Sequence, residues 1–365
     1  MSVQTKNGQI RRAQKQVAIL VENEFEDVEF KIPHTALKQA GAIVTVLGGR
    51  MNERYKGHHG GIFVAPNATA TEAHAEDFDA FIILGGSIRI NPNVTRLIRD
   101  AIALKKWIVA IGYGPQVLID TEQLAGKRIT GFRAIRKDLE NAGAIYLDAP
   151  VVTDTPFITA RRPSDLPIVM TTLFRMLTLS LPEKVLPQTN AINHEWWKMG
   201  ADWGGSSRAE LVRSLNMAIV GERYTLESFR QYRYRATSSR LKSILTEIIN
   251  NKKQHIEKLE QRLRQGFQEE VTWQALGSEA YADIQSWMLS NDDISIARRT
   301  LGDLQTGIVD AYRLCNQLTD PTTAEILDKI ATDLSKYEQC LGAWYRQQSV
   351  NPIQPPLPTT IVAMK

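Results

Sequence analysis

The first half of the chain alternates short apolar runs with longer amphipathic stretches. Residues 17–21, 43–47, 80–84 and 107–111 are continuous and mostly β-branched, the pattern of strands buried on both faces. Between them, residues 31–39 and 93–104 carry helical spacing. The alternation predicts an α/β unit whose parallel sheet is covered by helices on both faces. Ligand sites in such sheets lie at the carboxyl ends of strands, where Glu26, Gly85, Gly86 and Gly112 fall.

The pattern changes near Pro182. Residues 183–206 read as an irregular linker holding Trp196, Trp197 and Trp203, expected with His194 to bury against a neighbouring domain. From Ser207 the period is helical. Ser207 and Glu210 form a capping box that opens a stripe of Leu211, Leu215, Ala218, Glu222, Leu226 and Phe229. A second helix aligns Leu241, Leu245, Ile248, Lys252, His255, Leu259 and Arg262 on one face. Residues 269–290 predict an atypical connecting helix with Trp273, Tyr281 and Trp287, followed by long helices over 293–318 and 322–347. Asp320-Pro321 supplies the cap and first-turn proline of the last one. Two helical hairpins joined by a long crossover describe an all-α four-helix bundle of the ferritin-like kind over 207–349. Residues 1–14 and the proline-rich residues 350–365 are expected to be disordered.

Length supports this division, since 365 residues exceed one usual core. Charged residues at 23% and hydrophobic residues at 43% describe an ordinary soluble protein. A formal charge of +4 is too small and dispersed to point to nucleic acid. The basic runs 230–235 and 252–264 read as solvated helix faces, because acids such as Glu257 and Glu260 interrupt them. No apolar run approaches the ~20 residues of a membrane span and no hydrophobic signal core opens the chain, so a cytoplasmic location is expected. Cys315 and Cys340 form no C-x-x-C pair. They are expected as two small buried hydrophobes, with a redox pair across antiparallel helices as the alternative.

A ferritin-like bundle raises the question of a di-iron site, which needs a Glu from each of two helices and a Glu-x-x-His from each of the other two. Glu222 and His255 lie on apolar stripes, and a carboxylate in a core is costly unless paired or metal-bound. Lys252, however, stands three positions before His255, where a carboxylate ligand belongs. The second hairpin offers Asp310, Asp333 and Glu338, none followed at the right spacing by histidine. A structural pair of Glu222 and His255 is therefore expected, with no metal and no cofactor; iron or manganese in the bundle is the alternative.

Four separated stretches stand out: residues 17–29 (Val-Ala-Ile-Leu-Val-Glu-Asn-Glu-Phe-Glu-Asp-Val-Glu), 78–86 (Phe-Asp-Ala-Phe-Ile-Ile-Leu-Gly-Gly), the turn at 110–118, and 158–167 (Ile-Thr-Ala-Arg-Arg-Pro-Ser-Asp-Leu-Pro). In this order they resemble the PfpI family of the DJ/PfpI superfamily, with its class I glutamine amidotransferase-like fold. The resemblance covers roughly residues 15–181 and implies a flavodoxin-like sheet over 15–182. In that family the turn reads Ile-Cys-His-Gly-Pro: the cysteine attacks, the histidine is its base, and a glutamate near the first turn bonds the cysteine. Carried across, the cysteine becomes Gly112, the histidine becomes Tyr113, and the glutamate remains as Glu26. The family's further acid, contributed to a neighbouring subunit after the glycine pair, is absent, because the segment from Gly85 to Asn91 is shortened there.

Covalent catalysis needs a thiolate or alkoxide partnered by a base, and glycine supplies neither. Tyr113, with a reference pKa of ~10, is protonated at neutral pH. Gly112 then relaxes a turn that no longer displays a nucleophile, leaving Glu26 bonded to turn backbone or water. The expected function is a non-catalytic, stress-related binding or assembly protein with a degenerate site at Glu26, Gly112 and Tyr113. Any ligand contacts there come from Glu26, Gly85, Gly86 and Tyr113. The alternative is an enzyme, either a PfpI-type hydrolase or glyoxalase using an unexpected group or a di-iron oxidoreductase. The resemblance also implies a homo-oligomer, with a dimer favoured; an unknown protein partner is expected, and neither nucleic acid nor membrane.

Overall fold

The computed structural model describes residues 14–86, 89, 91–182, 185–191, 194–272 and 292–348. The chain divides into two compact units between Ser206 and Ser207. In the first, the strands are β1 (Gln16–Leu20), β2 (Ile43–Gly48), β3 (Tyr55–Lys56), β4 (Phe63–Val64), β5 (Ala68–Thr69) and β6 (Ala80–Ile83). They continue with β7 (Trp107–Ile111), β8 (Arg128–Ile129), β9 (Ile145–Tyr146), β10 (Val151–Asp154) and β11 (Phe157–Ala160). Seven form one sheet in the order β10-β11-β7-β6-β1-β2-β5. All neighbours are parallel except β10 with β11.

Successive side chains of a strand point to opposite faces, so a sheet covered twice needs apolar residues at every position. Along β1, Val17 and Ile19 enter one core, with α1 (Asp27–Gln39) and a later helix at Leu166–Leu177; Ala18 and Leu20 enter the other, with Pro92–Ala103, here α2. The short helices Pro115–Asp120 (α3) and Arg136–Asn141 (α4) precede Leu166–Leu177, which is α5. Helix α1 begins four residues before the predicted stretch, and the acids of its first turn, Asp27 and Glu29, are buried.

The tryptophan-rich segment is not irregular throughout. Trp196–Asp202 is a helix, α6, and Trp196, Met199 and Trp203 are buried in the core of the α/β unit that precedes the segment. The Trp203 ring meets Phe174 of α5 edge-on, centroids 6.0 Å apart. A large aromatic in a connector buries wherever apolar area is on offer, and the α1–α5 face offers it.

Among the described residues, the second unit has four long helices: α7 (Arg208–Arg235), α8 (Ser239–Phe267), α9 (Asp293–Gln317) and α10 (Pro321–Gln348). Hairpins α7–α8 and α9–α10 also pack α8 on α10 and α7 on α9, which closes a four-helix ring. The capping box at Ser207 forms with Glu210, and Asp320 accepts from the Thr323 N–H at 3.0 Å. Most of the predicted connecting helix, with Trp273, Tyr281 and Trp287, lies outside the described residues, as do 1–13 and 349–365.

Cys315 is buried, but Cys340 is exposed, and neither is in a disulfide. The Cys315 thiol donates to the Ala324 carbonyl at 3.4 Å. Ala324 precedes Cys340 by sixteen residues of α10, about 24 Å along its axis at the helical rise, so the two thiols cannot pair. Among the described residues, no helix is long and apolar enough to cross a membrane.

Candidate functional site

Strand β7 ends at Ile111 and the chain turns through Gly112, Tyr113 and Gly114 into α3. Gly112 has φ +58°, a region L-residues seldom occupy, and its N–H donates to the Ala160 carbonyl at 3.1 Å. A Cβ added there would lie 2.6 Å from Glu29 Oε1. The carboxyl that fills the side-chain space of this turn is therefore that of Glu29. Its other oxygen accepts from the Gly85 N–H at 3.3 Å, and Tyr113 Cβ closes the same corner, 3.4 Å from a Cβ built on Gly85.

Glu26, the acid expected beside Gly112, instead pairs its Oε1 with His59 Nε2 at 3.2 Å. The two acids stand one helical turn apart, and the direction in which α1 enters the fold turns Glu29 toward β7. His58 Nδ1 pairs with Glu24 at 3.1 Å, and the Asp27 carboxylate accepts from the His59 backbone N–H at 3.0 Å. These histidines follow β3 in a loop with no helical or strand period, so no sequence pattern marks them. Gly86, at φ +91°, is held against the Asn23 carbonyl; the shortened loop predicted after it includes Ser87, Ile88 and Ile90, outside the described residues.

Burial drives the Glu29 carboxyl up to about 8, with the nearby Glu26 charge adding and the Gly85 N–H opposing. Glu29 is thus a neutral acid at pH 7, able to hold or exchange a proton beside a residue with no side chain. Glu26 is also raised, chiefly by burial, against the opposing His59. Tyr113 is 43% exposed with its ring 4.8 Å from Phe132, and partial burial raises its phenol above the ordinary value. A raised phenol is a poorer nucleophile source at neutral pH.

The two glycines of the turn serve different ends. A Cβ on Gly114 would lie 2.4 Å from the Ile83 carbonyl oxygen and 2.9 Å from that of Ile111, both backbone. At Gly112 the obstacle is one carboxyl on a flexible side chain. Gly114→Ala is accordingly expected to cost about 3 kcal/mol or more and Gly112→Ala about 1–2 kcal/mol, measured by urea unfolding of the full chain. Equal costs would show that the close approach at Gly114 is not what fixes the turn.

In the bundle, Glu222 from α7 and Lys252 and His255 from α8 meet at its centre. Lys252 Nζ donates to Glu222 Oε1 at 2.8 Å, while His255 Nδ1 faces Glu222 Oε2 at 3.1 Å and His255 Nε2 faces Asp333 Oδ2 of α10 at 3.4 Å. Lys252 also lies over the Phe229 ring at 5.4 Å. Tyr232 donates to Asp303 of α9 at 3.4 Å, and burial lifts that carboxyl to about 7. Lys252 is thus a core residue rather than part of a solvated basic face. Asp303 was missed by sequence, although it falls seven residues after Ile296 on the buried stripe of α9.

This donor set does not fit a metal ion. Lys252 places an ammonium on the Glu222 carboxylate, and His255 separates Glu222 from Asp333 across its ring instead of letting them converge. Among the described residues, no three His, Cys, Asp or Glu side chains form a metal-binding group.

The DJ-1/PfpI family model matches residues 15–176. The crystal structure of a two-domain protein from Anabaena variabilis, containing DJ-1/ThiJ/PfpI-like and ferritin-like domains, is 44% identical. It superposes with a TM-score of 0.88 over 95% of this chain and 99% of that one. The Bacillus subtilis protein named "Putative cysteine protease YraA" is 41% identical over 156 residues, 42% of this chain and 92% of that relative. An uncharacterized protein of Archaeoglobus fulgidus is 38% identical over 167 residues, 44% of this chain and 97% of that relative.

Proposed function

Since the chain belongs to the DJ-1/PfpI family, we propose that it is a non-catalytic, stress-related binding and assembly protein that keeps the family's α/β unit without its nucleophile. Gly112 carries this reading: at the end of a central strand, where covalent chemistry needs a partnered thiol or hydroxyl, the residue has no side chain and the Glu29 carboxyl occupies the space. The neighbouring Tyr113 phenol, raised by burial, is held protonated. A neutral, buried carboxyl and a protonated phenol on the same turn suit hydrogen bonding to a polar group better than attack on it. The assembly is proposed as a homodimer, and the location as the cytoplasm.

The test is acyl trapping. The full chain is incubated with p-nitrophenyl acetate and its peptides are mapped by mass spectrometry. No acetyl group is expected on Tyr113. Acetylation of Tyr113 faster than of surface lysines, abolished by Glu29→Gln, would identify an enzyme with a tyrosine nucleophile instead.

A further inference from the structure

Helix α1 and the outer edge of β2 bound a cleft of about 320 Å3 whose walls include Phe30, His34, Lys38, Val44, Ile62 and Phe63. Such a volume lies at the lower end of small-molecule sites, roughly 300–1,000 Å3. Phe30, His34 and Lys38 are spaced four apart and stand above one another on one face of the helix. The Phe30 and His34 rings stack at 5.2 Å, and Phe63, 61% exposed, forms part of the same lining. The cleft therefore grades from aromatic and aliphatic at one end to cationic at the other.

Three observations give the polar end its chemistry. Among the described residues, Lys38 is the one charged group acting on the His34 imidazole, which burial and that charge both hold below its ordinary pKa. Among the described residues, neither side chain has an ion pair or hydrogen bond to a carboxylate. The backbone adds a donor. Ile43 donates toward β1, to the Lys15 carbonyl, and Val46 donates outward, to Asn67 Oδ1 at 2.8 Å. Alternate residues of a strand face alternate neighbours, so the Val44 N–H faces outward with Val46. Strand β5 pairs with β2 at Leu47 and Gly48, and so leaves the edge at Val44 uncovered. A crossover helix runs antiparallel to its strands, which sets Lys38, near the end of α1, beside the start of β2.

We propose that this cleft binds a small amphipathic carboxylic acid, its apolar body along Phe30, Ile62 and Phe63 and its carboxylate between Lys38 and the Val44 N–H. Charge complementarity selects the anion. An alcohol of the same shape keeps the apolar contacts and loses the ionic one, and an amine opposes Lys38. The site does not depend on the reading given for Gly112.

Calorimetric titration of the full chain with 4-phenylbutanoate, 4-phenylbutan-1-ol and 4-phenylbutylamine tests this. The acid is expected to bind in the range of about 0.1–1 mM, the alcohol about tenfold more weakly and the amine not at all. Lys38→Glu is expected to weaken the acid by about tenfold or more, and Phe63→Ser to weaken acid and alcohol together. Both side chains are exposed, so the variants keep the fold, which circular dichroism checks. Equal binding of acid and amine, an unchanged acid affinity in Lys38→Glu, or no binding of the acid at about 10 mM overturns the proposal. So does a cleft that binds no acid while Phe63→Ser dissociates an oligomer, because a second copy of the chain then covers it.

Discussion

Glu29→Gln is expected to stabilise the protein by about 3 kcal/mol at pH 7, and by almost nothing at pH 4. The folded carboxyl titrates at about 8, against an ordinary value of 4.5, because it is wholly buried. A carboxyl with a raised folded pKa is neutral in the native chain after the unfolded chain has ionised. Its stabilising contribution is complete below the unfolded pKa and is lost as pH climbs toward the folded one. Glutamine keeps the shape and the acceptor for the Gly85 N–H but carries no proton to lose. Urea unfolding of both chains at several pH values should show the gap opening between about pH 4.5 and 8. A gap independent of pH would mean that Glu29 is already ionised in the folded protein.

Glu222→Ala is expected to act in the opposite sense, costing about 3 kcal/mol at pH 7. It strands Lys252, 2% exposed, with the Phe229 ring and the raised Asp303 as its remaining company, and takes one of the two carboxylates from His255. Burial alone would raise Glu222, yet its pKa is lowered by Lys252 and His255. The stability it contributes is therefore present above about 4.5 and lost as pH falls through the folded value. Adding Lys252→Met should restore most of the loss, since removing both partners avoids the unpaired buried charge. Unfolding free energies that simply add across the two single variants would show that Glu222 and Lys252 do not interact. Metal content is expected to be the same in all these chains.

What the sequence disclosed follows from how far each signal depends on tertiary direction. Trp107–Ile111 was legible in full, because a strand buried on both faces is apolar at every position. Lys252 and His255 could be placed at the bundle centre because helical spacing puts them on the stripe of Leu245 and Ile248. Glu26 and Glu29 were harder. Both lie near the start of α1, and which one meets Gly112 is set by how that helix lies on the sheet, which no local pattern records. The acids of 26–29 also resemble a solvent-facing turn, which hid the true start of α1. Trp196 and Trp203 were recognised as buried, but the helix that carries them was not, since burial of an aromatic does not identify which flanking unit covers it or in what local structure. Cys340 illustrates the reverse error: apolar neighbours in sequence do not make a helical position internal.

The most direct test of a family unit without its nucleophile is turnover by the purified full chain, assayed with peptide substrates and with methylglyoxal beside the Glu26→Gln and Glu29→Gln variants. All three proteins are expected to match the buffer blank. Turnover by the unaltered chain well above the blank, abolished by either substitution, would contradict the account and make the carboxyl beside Gly112, or its neighbour at His59, part of an active site.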